Sequence, residues 1–256
     1  MRRRWPSLRL ALAGLALGAV VWGCAAGTLP PVASEGERLE QARRAMSKRE
    51  YSVAIELLKS YVDNNAGSRD VDEAIYRLGM CYLGTREWPS AEVEFERLLR
   101  DYPESDSSGS AAFRLGEALI GQSRPRDFDQ EFTAKALEQW RNYLASYPGH
   151  WLNAQALRRV AEARARLAGK LADTGRLYLK LKLTHPARVY FQRVLDEYAD
   201  TPSIGEARLG LALCDALEGR RREAIEALRR VEADHAGDPV ARRAAWERAR
   251  LERRSG

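Results

Sequence analysis

With 256 residues, 45% of them hydrophobic and 30% charged, the chain has the material for one continuous folded body rather than two independent domains. Its formal charge of +6 includes four arginines among the first nine residues, and without them it falls to about +2, too little to argue for nucleic-acid binding. No metal-ligand spacing, nucleophile elbow or phosphate-cradling glycine loop occurs, so no enzyme activity, cofactor or small-molecule substrate is expected.

The first element is an export segment. Arg2, Arg3, Arg4 and Arg9 flank an uncharged apolar run from Leu10 to Trp22. That run is shorter than the ~20 residues needed to span a bilayer and matches the apolar core of a secretory signal. It ends at Val21-Trp22-Gly23-Cys24, which resembles the bacterial lipobox, with Trp22 in place of the usual small or hydroxyl residue. The resemblance implies a signal peptide over 1–23 and a diacylglyceryl and N-acyl lipid on Cys24. Residues 24–34, with two adjacent prolines and no helical period, read as a tether of up to ~30 Å. Ala25 stands where an aspartate would favour inner-membrane retention, so the expected location is the outer membrane, facing the periplasm.

Residues 35–256 carry a helical period throughout. Ser34-x-x-Glu37, Asp70-x-x-Glu73 and Ser203-x-x-Glu206 have the form of capping boxes and mark three helix starts. The spacing predicts helices over 36–48, 50–64, 70–84, 88–101, 108–121, 131–147, 151–183, 186–198, 203–218 and 220–233, then a basic terminal helix from about 238. Gly169 and Gly175 are candidate break points in the long one. Ala91 to Pro103 recurs almost type for type as Ala187 to Ala199, and weaker copies begin at Ala54, Ala136 and Ala224. Each alanine is followed at +4 by Leu58, Phe95, Trp140, Phe191 or Leu228, and at +7 by Tyr61, Leu98, Tyr143, Val194 or Val231, which places all three on one helical face. A preceding helix carries Leu78-Gly79, Leu115-Gly116 or Leu209-Gly210, where glycine admits a close neighbour.

Such a unit resembles the tetratricopeptide repeat, whose period is about 34 residues. The fold class implied is an all-α, right-handed solenoid of about five helix pairs. The alanines are spaced by 37, 45, 51 and 37 residues, so two units carry insertions. One is the loop Ser123 to Thr133. The other adds about 14 residues between Pro148 and Ala187, close to four helical turns, so a helix can lengthen without rotating its buried face. Cys81 and Cys214 fall beside core positions of repeats too far apart to bridge and are expected to be buried free thiols. His150, His185 and His235 fall at helix ends and read as solvated or weakly dipole-paired turn residues. Asp127 and Asp129, flanked by Arg124 and Arg126, read as local turns or salt links, with partner recognition as the alternative.

The pattern Asp127-x-Asp129-Gln130-x-x-Thr133-x-x-Ala136-Leu137, then Tyr143-Leu144-x-x-Tyr147-Pro148, Leu167-Ala168, Tyr178-Leu179-Lys180 and Glu197-Tyr198-x-x-Thr201, resembles the BamD family of outer-membrane β-barrel assembly lipoproteins. The similarity runs from Tyr51 to about Glu232. Lys170-Leu171, Ala199 and Thr184-His185-Pro186 depart from the family pattern. The resemblance implies a scaffold that binds unfolded outer-membrane proteins and the barrel-forming subunit. Tyr51, Tyr76, Tyr82 and Phe113 are then candidates for an extended peptide, and Arg77 and Arg114 for its terminal carboxylate. Asp127, Asp129, Gln130, Thr133, Tyr178 and Lys180 are candidate contacts for machinery partners, together with the arginine-rich last helix. The alternative is another repeat lipoprotein of the envelope, such as a secretin pilotin or a cell-division coordinator.

Overall fold

A computed structural model of the chain describes residues 34–253. The expected signal segment with Arg2, Arg3, Arg4 and Arg9, the lipid site Cys24 and the tether up to Ala33 lie outside the described residues. Eleven α-helices and no strand occur among the described residues: α1 Glu35–Ser47, α2 Tyr51–Asn64, α3 Val71–Thr85, α4 Trp88–Asp101, α5 Ser108–Gly121, α6 Glu131–Ser146, α7 Asn153–Lys180, α8 Thr184–Glu197, α9 Ile204–Leu217, α10 Arg221–Asp234 and α11 Pro239–Arg253. Each helix packs on the next, and first helices also touch across pairs, α3 on α5, α7 on α9 and α9 on α11. The result is a solenoid of five helix pairs closed by α11.

The repeated alanines explain this stacking. The alanine, its +4 residue and its +7 residue form an apolar stripe on α2, α4, α6, α8 and α10, and none of these fifteen side chains is more than 2% exposed. Large rings in the stripe need a socket, which glycine on a neighbouring helix supplies. A Cβ on Gly79 would lie 2.6 Å from the Phe95 ring, and one on Gly116 would overlap Trp140. Phe191 is enclosed from two sides, by Gly175 of α7 and Gly210 of α9. α7 runs unbroken for 28 residues. Gly169 and Gly175 are therefore not breaks: a Cβ at either would meet Arg126 or Phe191 at 2.8 Å, so both mark close approach.

The turn inside four of the five pairs has one geometry that residue types alone conceal. Arg49, Arg86, Lys182 and Gly219, each five residues before the repeated alanine, are left-handed, with φ of 61°, 63°, 60° and 84°. The next N–H reaches back across the helix end in every case: Glu50 to the carbonyl of Ala45, Glu87 to Tyr82, Leu183 to Tyr178 and Arg220 to Asp215, at 2.9–3.0 Å. This is the Schellman closure, which usually employs glycine. In three pairs a charged residue takes the left-handed site, at a cost of roughly 1–2 kcal/mol.

One capping expectation holds and two fail. Ser34 Oγ accepts from the Glu37 N–H at 3.3 Å. Asp70 and Ser203 make no side-chain cap. Their chain enters the helix through a turn, Val71 N–H to Ser68 and Ile204 N–H to Thr201, so the side chains are not aimed at the helix end. The glutamates go to ion pairs between helices: Glu73 joins Arg43 of α1 to Arg77, and Glu206 pairs with Arg243 of α11. Cys81 and Cys214 are free and buried, and burial pushes their thiols up to about 12 and about 11.

Candidate functional site

The repeat geometry leaves a groove where the first helices α3, α5 and α7 meet the starts of α2 and α4. A cavity of about 420 Å³ lies there. Its floor is set by two rings against glycines: Tyr51 lies on Gly84, where a Cβ would be 2.8 Å from the ring, and Trp88 lies on Gly121. Met80, Leu83 and Ile120 complete the apolar lining. Charge enters from Arg114 of α5 and Arg159 of α7, which both reach Glu117, Arg159 at 3.3 Å. Arg159 also meets Glu162 at 3.0 Å. Burial pulls the Arg114 guanidinium down, but Glu117 and the Tyr76 hydroxyl outweigh it and hold the group charged. The Nε–H groups of both arginines are buried with no acceptor among the described residues. A smaller cavity of about 230 Å³ extends the groove along α5 and α7 past Trp140 to Arg166, sharing Ile120 and Arg159. Two guanidiniums above an apolar floor can bind a carboxylate while its neighbouring side chains are desolvated.

Tyr51 and Arg114 therefore meet in this groove, and half-buried Tyr76 stands behind it, 6.0 Å from the Phe95 ring and beside Arg114. The other peptide candidates lie elsewhere. Phe113 is fully buried between Trp140 and Tyr143, at 6.4 and 5.7 Å. Tyr82 is 5% exposed, with Lys59 over its ring. Arg77 is occupied by Glu73. Aromatic type does not separate core from groove; the position within the pair does. Trp88 and Arg159 were missed, Arg159 because its reach depends on the register of the lengthened α7. Gly121, which admits the Trp88 ring, is the available signal for Trp88.

The insertion before α6 is clamped rather than loose. Gln130, 7% exposed, donates through Nε2 toward the carbonyls of Arg124, Pro125, Phe128 and Asp129 at 3.0–3.2 Å. Its Oε1 accepts from Thr133 at 2.9 Å and from Arg166 of α7 at 2.7 Å. Thr133, fully buried, also bonds Ser123 at 2.5 Å. Lys170 donates to the Asp127 carbonyl at 2.6 Å, and Arg126 pairs with Asp173 at 2.8 Å. Gln130 and Thr133 thus hold the loop from within, where a partner does not reach them. The expected salt links from Arg124 and Arg126 to Asp127 and Asp129 do not form: Arg126 is drawn to α7, and Arg124 sits 4.1 Å over the Phe128 ring. Asp129 accepts the Glu131 N–H at 3.1 Å, a local turn, while Asp127 stays exposed. Tyr178 stacks on Tyr190 at 5.5 Å, and Lys180 is exposed at the end of α7.

Two of the histidines are packed rather than solvated. His150 Nδ1 is 2.7 Å from the Tyr143 hydroxyl and accepts the Leu152 N–H at 3.3 Å, with the ring edge-on to Tyr143. His235 lies against Gly205, its side chain 16% exposed. His185 is exposed in the first turn of α8. Among the described residues no group could hold a metal ion, and no helix is long and apolar enough to cross a membrane.

Solved structures similar to this chain include repeat proteins. A thermophilic tetratricopeptide-repeat protein of Thermus thermophilus is 19% identical, covering 83% of this chain and 97% of its own, with a TM-score of 0.39. The TPR2AB domain of yeast Sti1, in complex with pHSP90, is 14% identical over 85% and 83%, with a TM-score of 0.44. A tetratricopeptide-repeat protein of Parabacteroides merdae is 17% identical over 85% and 72%, with a TM-score of 0.38. No curated protein sequence matches the chain. The family model described as YfiO, outer membrane lipoprotein, matches residues 31–218.

Proposed function

The chain belongs to the YfiO family of outer membrane lipoproteins, which is BamD-like, and on that premise we propose that it is a periplasmic scaffold of the β-barrel assembly machinery. A solenoid of helix pairs in this family is a protein-interaction scaffold; the client and the anchor are the proposal. Cys24 carries the diacylglyceryl and N-acyl lipid, and the tether holds the solenoid at the outer membrane. The groove between α3, α5 and α7 takes an extended segment of an unfolded barrel protein, apolar side chains against Tyr51 and Trp88 and a carboxylate on Arg114 and Arg159. The clamped loop at Asp127 and the later pairs face the barrel-forming subunit.

The observation that carries this reading is the pair of guanidiniums, Arg114 and Arg159, lining one groove with an apolar floor. The test is a titration with a peptide copying the last strand of an outer-membrane barrel protein. Micromolar binding that weakens at least tenfold when Arg114 and Arg159 are both changed to alanine supports it, a loss of about 1.4 kcal/mol or more. No binding to any such peptide refutes the groove. Cys24→Ser should abolish fatty-acid labelling; unchanged labelling refutes the anchor.

A further inference from the structure

The turn from α7 into α8 reads Leu177-Tyr-Leu-Lys-Leu-Lys-Leu183. Tyr178 and Leu179 pack against the core shared by α7, α8 and α9. Leu177, Leu181 and Leu183 do the opposite, at 57%, 59% and 49% exposed. The alternating Lys180 and Lys182 are exposed too, and neither ammonium makes a hydrogen bond or ion pair with the described residues. The carboxylates near the turn are already committed, Glu218 beside Thr184 to Arg188 and Arg220, and Glu247, which lines the same cavity as Lys180, to Arg250. The turn is fixed by the left-handed Lys182 and the 3.0 Å bond from Leu183 N–H to the Tyr178 carbonyl, so the leucines are held outward by the backbone.

We propose that this turn is a membrane contact: the three leucines enter the boundary between headgroups and acyl chains of an anionic phospholipid surface while Lys180 and Lys182 meet its phosphates. Leucines interleaved with unpaired cations are the composition of interfacial elements, in which the lysine stem lies along apolar surface and its head reaches the phosphate layer. The proposal rests on the outer membrane lipoprotein family, which sets a bilayer beside the protein, and is independent of the client in the groove. Two lysines strengthen binding to an anionic surface about thirty-fold, at roughly 1 kcal/mol each. For the untethered protein it supports partial binding at high lipid concentration, which flotation reads. For a solenoid already tethered to the same membrane the contact is intramolecular, and the same strength is enough to fix how the solenoid stands.

The described helices form one compact unit with its own core, so a chain beginning at residue 32 isolates the contact from the lipid. Its flotation with phosphatidylcholine–phosphatidylglycerol vesicles should exceed that with phosphatidylcholine alone and fall as salt rises. Lys180→Ala with Lys182→Gly, which keeps the left-handed turn, should lower the partition coefficient about thirty-fold. Leu181→Ser with Leu183→Ser should abolish flotation, with thermal melts unchanged because both leucines are exposed. Absence of flotation, equal flotation with neutral vesicles, or variants that float like the parent overturns the proposal. So does a leucine variant that floats normally but loses a co-purifying protein, since the turn is then a protein interface. None of these outcomes touches peptide binding in the groove, whose failure is read separately.

Discussion

Phe191 offers the sharpest test of how the solenoid is packed, because its ring is held by glycine on both sides. It is 2% exposed, and its neighbours are Gly175 of α7 and Gly210 of α9. Phe191→Ala should cost about 3–5 kcal/mol, since three helices border the space and cannot all collapse into it. Gly210→Ala inserts a methyl that overlaps the ring, and the ring cannot retreat because a Cβ at Gly175 would lie only 2.8 Å from its other side. Overpacking of this kind costs about 1–3 kcal/mol, offset by up to ~1 kcal/mol from alanine's better helix propensity. In the Phe191→Ala background the same methyl enters vacated space and should stabilise by about 1–2 kcal/mol, one buried CH₂ plus the propensity gain. The two changes should therefore couple by about 2–3 kcal/mol. Urea denaturation followed by circular dichroism gives the cycle, and amide exchange over α7, α8 and α9 shows whether the loss is confined there, as expected when stability is carried by neighbouring repeats. Additivity within about 0.5 kcal/mol would refute the socket.

Three further outcomes follow from the same contacts. Gln130→Ala removes the centre of the loop clamp and leaves part-buried carbonyls and the Arg166 Nε–H unmet, so stability should fall by about 1–2 kcal/mol and proteolysis should begin within 124–129. Burial raises both thiols, so Cys81 and Cys214 should resist alkylation at pH 8 in the folded protein and react at once on unfolding; rapid labelling of the native state would contradict their placement. Burial also pulls Glu73 up, but its hydrogen bonds to Arg43 and Arg77 prevail and hold it below the usual carboxylate range. Its stabilisation is thus present above about pH 4.5 and lost as pH falls through its folded pKa, so Glu73→Gln should cost up to about 1 kcal/mol at pH 7 and progressively less as the pH falls below 4.5.

The helices and their pairing were legible in the sequence because the alanine, +4 and +7 stripe is a local signal with a helical period. What escaped it depends on neighbours distant in sequence. Asp70-x-x-Glu73 and Ser203-x-x-Glu206 have the letters of a capping box, but arginines on α1 and α11 take the glutamates and the entering turn aims the caps elsewhere. Gly169 and Gly175 read as breaks because a glycine's partner cannot be seen along its own helix. Tyr82 and Phe113 belong to the same residue class as Tyr51, and only the stacking decides which of them faces the core. The Gln130 and Thr133 motif has the polar character of a partner surface, whereas its side chains are spent inside the loop. Arg159 joins Arg114 across 45 residues through the length of α7, a register that no local pattern encodes.

The most direct measurement is purification of the tagged lipoprotein from envelope membranes, with identification of what co-elutes, for the parent and for the Arg114→Ala, Arg159→Ala variant. The barrel-forming subunit should co-elute with both proteins, and unfolded outer-membrane barrel proteins only with the parent. Recovery of a secretin or of division proteins in their place would contradict the assembly role and leave a repeat scaffold with a different client.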